Sequence, residues 1–175
     1  MKNFSILALL ISTAMFMSCS GSNDKEIANA KLAATADNKD IGSAKFYIAS
    51  DDKIRMDLEI NYPERADSIV AVHFHEHGDC GNMGENAHGH WNPTKENHGK
   101  WNSEAYHSGD IGNIQLDSKG HGTFSVTTDR WNVTDNDVAN IIGRGIIVHG
   151  GMDDYTTQPT GNSGPRVGCG VIVKN

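Results

Sequence analysis

From Ile27 onward the pattern of apolar and polar residues becomes strand-like in eight short runs, several of them alternating with a period of two. The runs cover residues 28–35, 43–50, 53–61, 68–76, 112–116, 122–128, 146–149, which is a continuous apolar run up to His149, and 168–173. A period of two puts successive side chains on opposite faces of a strand, so each alternating run reads as a strand with one face turned to a core. Turn formers separate the first four: Asp37-Asn38, Asp51-Asp52 and Pro63-Glu64. Asp117-Ser118-Lys119-Gly120 reads as a hairpin connection between the fifth and sixth. Helical signal is confined to residues 135–142, where one or two turns capped by Thr134 are expected. Eight short strands, little helix and two long loops predict an all-β, eight-stranded antiparallel sandwich or flattened barrel.

The fourth run carries more than fold information. In Val70-Ala71-Val72-His73-Phe74-His75, the valines and Phe74 point one way and His73 and His75 the other. The segment from Ala71 to Asp110 holds seven of the nine histidines. In order, the candidate ligands are His73, His75, His90, His98, His107 and Asp110, followed by the distant His149. Seven ligands exceed what one four-coordinate ion takes, whereas two ions sharing a ligand need about this many. Imidazoles with one carboxylate suit zinc, and a set made wholly of imidazoles suits copper. His77, His88 and His121 fit no ligand position and read as exposed loop histidines; Trp91 and Trp101 read as packing residues.

The 175 residues are enough for one domain with a substantial core, and 19 glycines agree with short strands and long loops. A formal charge of −7 argues against nucleic acid and acidic membrane surfaces as partners. The N-terminus is set apart: Lys2 precedes an apolar stretch, Phe4 to Met17, too short to span a bilayer comfortably. It ends in Met17-Ser18-Cys19-Ser20, which resembles a bacterial lipoprotein signal whose cysteine becomes the lipidated first residue. The expected organisation is a signal peptide over 1–18, the lipidated cysteine and a polar tether over 19–26, and a single domain over 27–175. Export leaves Cys80 and Cys169 as an even pair in an oxidising compartment.

The motifs together resemble the copper/zinc superoxide dismutase family in its bacterial exported form. They are Val72-His73-Phe74-His75-Glu76, Gly89-His90-Trp91-Asn92-Pro93, His98-Gly99, and His107-Ser108-Gly109-Asp110-Ile111-Gly112-Asn113. Val148-His149 and the run from Gly161 to Ile172 complete them. The resemblance implies a Greek-key fold. It implies copper bound by His73, His75, His90 and His149, and zinc bound by His90, His98, His107 and Asp110, one ion of each per subunit. His90 would be the bridging and catalytic imidazole, Asp153 would orient a histidine of each metal, and Arg166 would receive the substrate. Cys80–Cys169 would be the intrasubunit disulfide. The implied reaction is dismutation of the superoxide anion to oxygen and hydrogen peroxide, an antioxidant activity in the cell envelope. The alternative is a non-catalytic copper- and zinc-binding protein on the same fold. The unit would be a monomer or homodimer, held by a lipid anchor on the periplasmic side of a membrane, with no nucleic-acid partner.

A stable lipid anchor needs more than one acyl chain, because a single chain binds a bilayer only marginally. Replacing Cys19 with Ala is therefore expected to move the protein from the membrane to the soluble fraction or leave it unprocessed. Mass spectrometry of the wild type should find an acylated Cys19; soluble protein without lipid would overturn the anchor.

Overall fold

The computed structural model describes residues 24–175, so the expected signal peptide and the expected lipidation site, Cys19, lie outside the described residues. Nine strands form: β1 (Glu26–Ala34), β2 (Asp40–Ile48), β3 (Ile54–Asn61), β4 (Ile69–His75), β5 (Asp110–Gln115), β6 (His121–Thr128), β7 (Gly145–His149), β8 (Arg166–Val171) and β9 (Val173–Lys174). Their order across the sheet is β5-β4-β7-β8-β1-β2-β3-β6, with the two-residue β9 pairing β1. Every ladder is antiparallel. Consecutive strands often do not neighbour each other, which is the Greek-key character, and the sheet rolls into a nearly closed barrel.

Two expectations change. Residues 117–120 do turn, with Gly120 N donating to the Asp117 carbonyl at 2.9 Å. Yet β5 and β6 do not make a hairpin ladder. Leu116 N instead bonds Ser68 O, continuing the β4 side, while β6 pairs β3 along its whole length from Ile54↔Thr128 to Asn61↔His121. The turn thus joins the two ends of the sheet order and closes the barrel. Residues 135–142 form successive turns, not helix: Asn140 N reaches Asp137 O, and an isolated bridge joins Asn132 to Asn140. Asn132, Asp137 and Asn140 each accept a backbone N–H two residues on, the local competition that keeps such residues out of helices.

The inner faces fill the barrel as the alternation predicts. Ala28, Ala30 and Leu32 of β1, Phe46 of β2, Met56, Leu58 and Ile60 of β3, and Val70, Val72 and Phe74 of β4 are all buried in one core. Phe74 packs against Trp131 at 4.9 Å between centroids. Trp91 is buried in the same core and Trp101 packs against it, as read. The outer face of β4 is buried as well, because the long segment 76–109 folds back over it. Trp91 N donates to Phe74 O at 2.8 Å, Phe74 N to Gly109 O at 2.8 Å, and Gly109 N to Trp91 O at 3.1 Å. A Cβ on Gly109 would sit 2.5 Å from the Phe74 oxygen, so only glycine lets the loop lie this close to the strand.

Cys80 in that segment is bonded to Cys169 on β8, across a sequence separation of 89. Closing so long a loop restricts the unfolded chain by roughly 4–5 kcal/mol on chain-entropy arguments. Cys80→Ser is expected to lower the melting temperature and to reduce retention of metal at His90, which the same segment carries. An unchanged melt would remove the disulfide as a stabilising element.

Candidate metal centre

The seven candidate ligands converge. His73 and His75 come from β4, His149 from the last position of β7, and Asp110 from the first of β5. His90 is drawn in by a bridge to His75, and His98 and His107 come from the folded-back segment. All seven are buried, none more than 6% exposed. Their potential ligand atoms fall into two groups, each within 4.8 Å: His73, His75, His90 and His149, then His90, His98, His107 and Asp110. His90 belongs to both.

Orientation matters more than proximity here. Most of these rings spend one nitrogen on a protein acceptor. His73 Nε2 bonds Asp153 Oδ2 at 2.8 Å, His75 Nδ1 donates to His88 O at 2.8 Å, and His149 Nδ1 donates to Gly164 O at 3.2 Å. His98 Nε2 bonds Asp153 Oδ1 at 2.9 Å. The opposite nitrogens, His73 Nδ1, His75 Nε2, His90 Nε2, His149 Nε2, His98 Nδ1 and His107 Nδ1, are buried without a hydrogen-bond partner. A buried polar atom left unpaired costs free energy, and six around two points fit metal ligation. The residues present therefore fit the two ions that the donor chemistry suggests: four imidazoles suit copper, three imidazoles and a carboxylate suit zinc.

Asp110 is the anchor of the second group. Its Oδ1 lies 2.9 Å from His90 Nδ1 and 3.2 Å from His107 Nδ1, and its Oδ2 lies 3.0 Å from His98 Nδ1. Oδ2 also accepts the backbone N–H groups of Gly99 and His107, at 3.1 and 2.9 Å. Burial would raise its carboxyl, but the histidines around it hold it well below the usual carboxylate range.

The histidines divide in the same way. Burial lowers all of the first group: His90 falls to about 4 and His149 to about 3, each pushed further by His73, and His73 and His75 fall too. These four rings are neutral at pH 7 and keep lone pairs for a metal. In the second group burial opposes the charge on His98, but Asp110 and Asp153 on either side outweigh it and raise it to about 9. A metal entering there displaces that proton.

Arg166 opens β8 directly opposite His149 in the register. Its guanidinium donates to Gly84 O and His88 O, each at 2.6 Å, and Glu85 lies 3.6 Å from Nε. Its charge is felt at both His75 and His149, whose protonated forms it disfavours. His121 stands apart, exposed beside Glu59; His77 and His88 are exposed, as expected.

Sequence reasoning missed the supports. Asn113 clamps Asp153 from both sides, its Oδ1 accepting the Asp153 N–H at 2.8 Å and its Nδ2 donating to the Asp153 carbonyl at 2.9 Å. Gln158 clamps the His98 backbone likewise, with two bonds of 2.9 Å. Asn113 stands inside a motif already singled out, which was its only signal; nothing local marks Gln158.

The family model for copper/zinc superoxide dismutase matches residues 40–172. The chain belongs to that family. A copper/zinc superoxide dismutase of Aquifex aeolicus is 36% identical over 137 residues, covering 75% of this chain and 79% of its own. A second one from that organism is 36% identical over 107 residues, covering 59% of this chain and 63% of its own. Among solved structures, a double mutant of a superoxide-dismutase-like protein from Bacillus subtilis superposes with a TM-score of 0.74 at 28% identity, covering 83% of this chain and 96% of that one. Copper and zinc are the family's metals, and the all-β, nearly closed barrel is the fold shared with the Bacillus subtilis protein.

Gly161 tests the link between the two groups. At φ +70°, a Cβ there would overlap the Asp153 carboxylate and lie 2.6 Å from His98 Nε2. Gly164 has φ +79°, but a Cβ there meets nothing closer than 3.6 Å. Gly164→Ala should cost only the backbone strain, about 1–3 kcal/mol. Gly161→Ala is expected in addition to displace Asp153 and release both metals more readily, read by metal analysis after dialysis. Equal metal retention in the two variants would deny Asp153 its orienting role.

Proposed function

We propose that this protein dismutates superoxide, with copper held by His73, His75, His90 and His149 and zinc by His90, His98, His107 and Asp110. The observation that carries this reading is the pair of four-donor groups meeting at His90, with unpartnered ring nitrogens turned inward. Bound copper supplies a one-electron couple that takes an electron from one superoxide, releasing oxygen, and gives it to a second, which leaves as hydrogen peroxide with two protons.

The chain's own residues prepare that exchange. The Arg166 guanidinium, fixed by the Gly84 and His88 carbonyls, offers a positive charge to a small anion beside the first group. His90 Nε2 holds a proton in one half of the cycle and passes it to the second superoxide. Asp110, on the Nδ1 side of the same ring, keeps the imidazole oriented while this happens. Asp153 joins His73 of the first group to His98 of the second, so a shift in one is felt in the other. The non-catalytic alternative leaves Arg166 without a purpose, since metal storage needs no anion-binding guanidinium.

We place the activity in the bacterial cell envelope, on the periplasmic side, with residues 1–18 removed and Cys19 as the lipid anchor. Residues 19–26 would tether the domain that follows. β1 starts at Glu26, and Asp24 is ion-paired with Arg55 at 2.5 Å, so the last residues of that tether join the barrel.

The purified, metal-loaded protein is expected to dismutate superoxide, and His90→Ala to abolish most of that activity while loosening both metals. His107→Ala should mainly deplete zinc. With cobalt in the zinc position, oxidised wild type should show magnetic coupling between the two ions; uncoupled ions would rule out a shared His90.

A further inference from the structure

One cluster of ligating side chains lies outside the two buried groups. Glu76 and His77 follow β4 at the point where the strand ends, and His88 closes the short helical turn of residues 82–87. The potential ligand atoms of Glu76, His77 and His88 lie within 4.8 Å of one another, and all three residues are exposed. The two rings meet edge to face, with centroids 4.7 Å apart and planes at 88°.

The backbone holds these residues face to face. Glu76 N donates to Gly89 O at 3.0 Å and His77 N to Ala87 O at 3.2 Å. Arg144 donates to the Glu76 carbonyl oxygen at 2.8 Å, and the Glu76 carboxylate forms no ion pair among the described residues. His88 adopts φ +62° and ψ −141°, a conformation that a non-glycine residue takes at a cost of about 1–3 kcal/mol. Glycine would relieve that strain, and Gly89 stands next in the chain; the histidine keeps an imidazole opposite His77 instead.

We propose that Glu76, His77 and His88 form a third, solvent-open site for one divalent copper or zinc ion. Two imidazoles and a carboxylate are a donor set that both ions accept, with solvent completing the coordination. Bonds of about 2.0–2.2 Å require the donors to approach to roughly 3.5 Å of one another, a closure that rotation of exposed side chains provides. Three ligands open to water bind more weakly than four buried ones, so this ion exchanges with solvent while the buried pair stays in place. The site also borders the buried copper-type group: the His88 carbonyl accepts both His75 Nδ1–H and the Arg166 guanidinium. An ion held by the His88 ring therefore sits on the residue that positions His75 and Arg166.

The test uses the protein with its buried sites fully loaded and copper(II) as the probe, and its readout does not depend on superoxide chemistry. Wild type should bind one further copper(II), seen as an additional nitrogen-coordinated signal in electron paramagnetic resonance and removed by brief treatment with a chelator. His77→Gln should weaken that binding at least tenfold, with buried metal content unchanged. His88→Gln, which keeps a side chain but removes the imidazole, should weaken the extra binding as well, and His121→Gln, at the other exposed histidine, should retain it. His88→Gly, which keeps the backbone bend, should also lose the extra ion. Absence of extra binding in loaded wild type, or binding undiminished in His77→Gln and His88→Gly, would overturn the third site.

Discussion

Six imidazoles and a carboxylate, nearly devoid of solvent contact, crowd together with one nitrogen of each ring buried and unpaired. In ordinary packing this is a large penalty, because every buried acceptor without a partner loses its hydration. The rest of the structure can be understood as holding that arrangement in place. β4 supplies a rigid rail with His73 and His75 on one face and Val70, Val72 and Phe74 locked into the core on the other. In His73, His75, His98 and His149 the other nitrogen is tied off on Asp153, the His88 carbonyl or the Gly164 carbonyl, so each of these four rings has one orientation in which to offer its free lone pair.

Asp153 joins the two halves. It lies in the segment between β7 and β8, yet it touches His73 on the barrel and His98 in the folded-back segment. It is itself fixed by Asn113 of β5 and cleared by the missing side chain of Gly161. The long segments are fastened to the barrel at further points, by Cys80–Cys169 and by the mutual bonds of Gln158 with His98. With these ties, segments of little regular structure can hold ligands as firmly as strands do. Arg166 is bound by the same logic, its guanidinium fixed on two carbonyls at the edge of the first group.

Much of this was legible in the sequence because strand periodicity and ligand type are local properties. The alternation around Phe74 put two imidazoles on one face of a strand, and the crowding of histidines between Ala71 and Asp110 announced a metal centre. The seven candidate ligands could be named from their residue types, while Asp153, Arg166 and the Cys80–Cys169 pairing came with the family resemblance. The structure brings them to one centre or, for the cysteines, into a bond. At residues 117–120 and 135–142 the structure departs in detail from what the local sequence predicts. Local signals say that a chain reverses, but not which strand receives it, and asparagine and aspartate side chains compete with helix in ways that only their final partners settle.

The sequence by itself determined an all-β chain and the identities of its candidate ligands, because both follow from side-chain period and side-chain chemistry. Only the tertiary structure decided which nitrogen of His73, His75, His98 and His149 is tied off and which is free, since that depends on acceptors such as Asp153 and His88 O brought from distant segments. It also decided that β5 and β6 part to opposite ends of the sheet order. And it brought Glu76, His77 and His88 within ligand range, although the sequence marks His77 and His88 only as exposed loop histidines. A hydrogen bond between residues 80 positions apart leaves no trace in the spacing of either; the fold has to close before it exists.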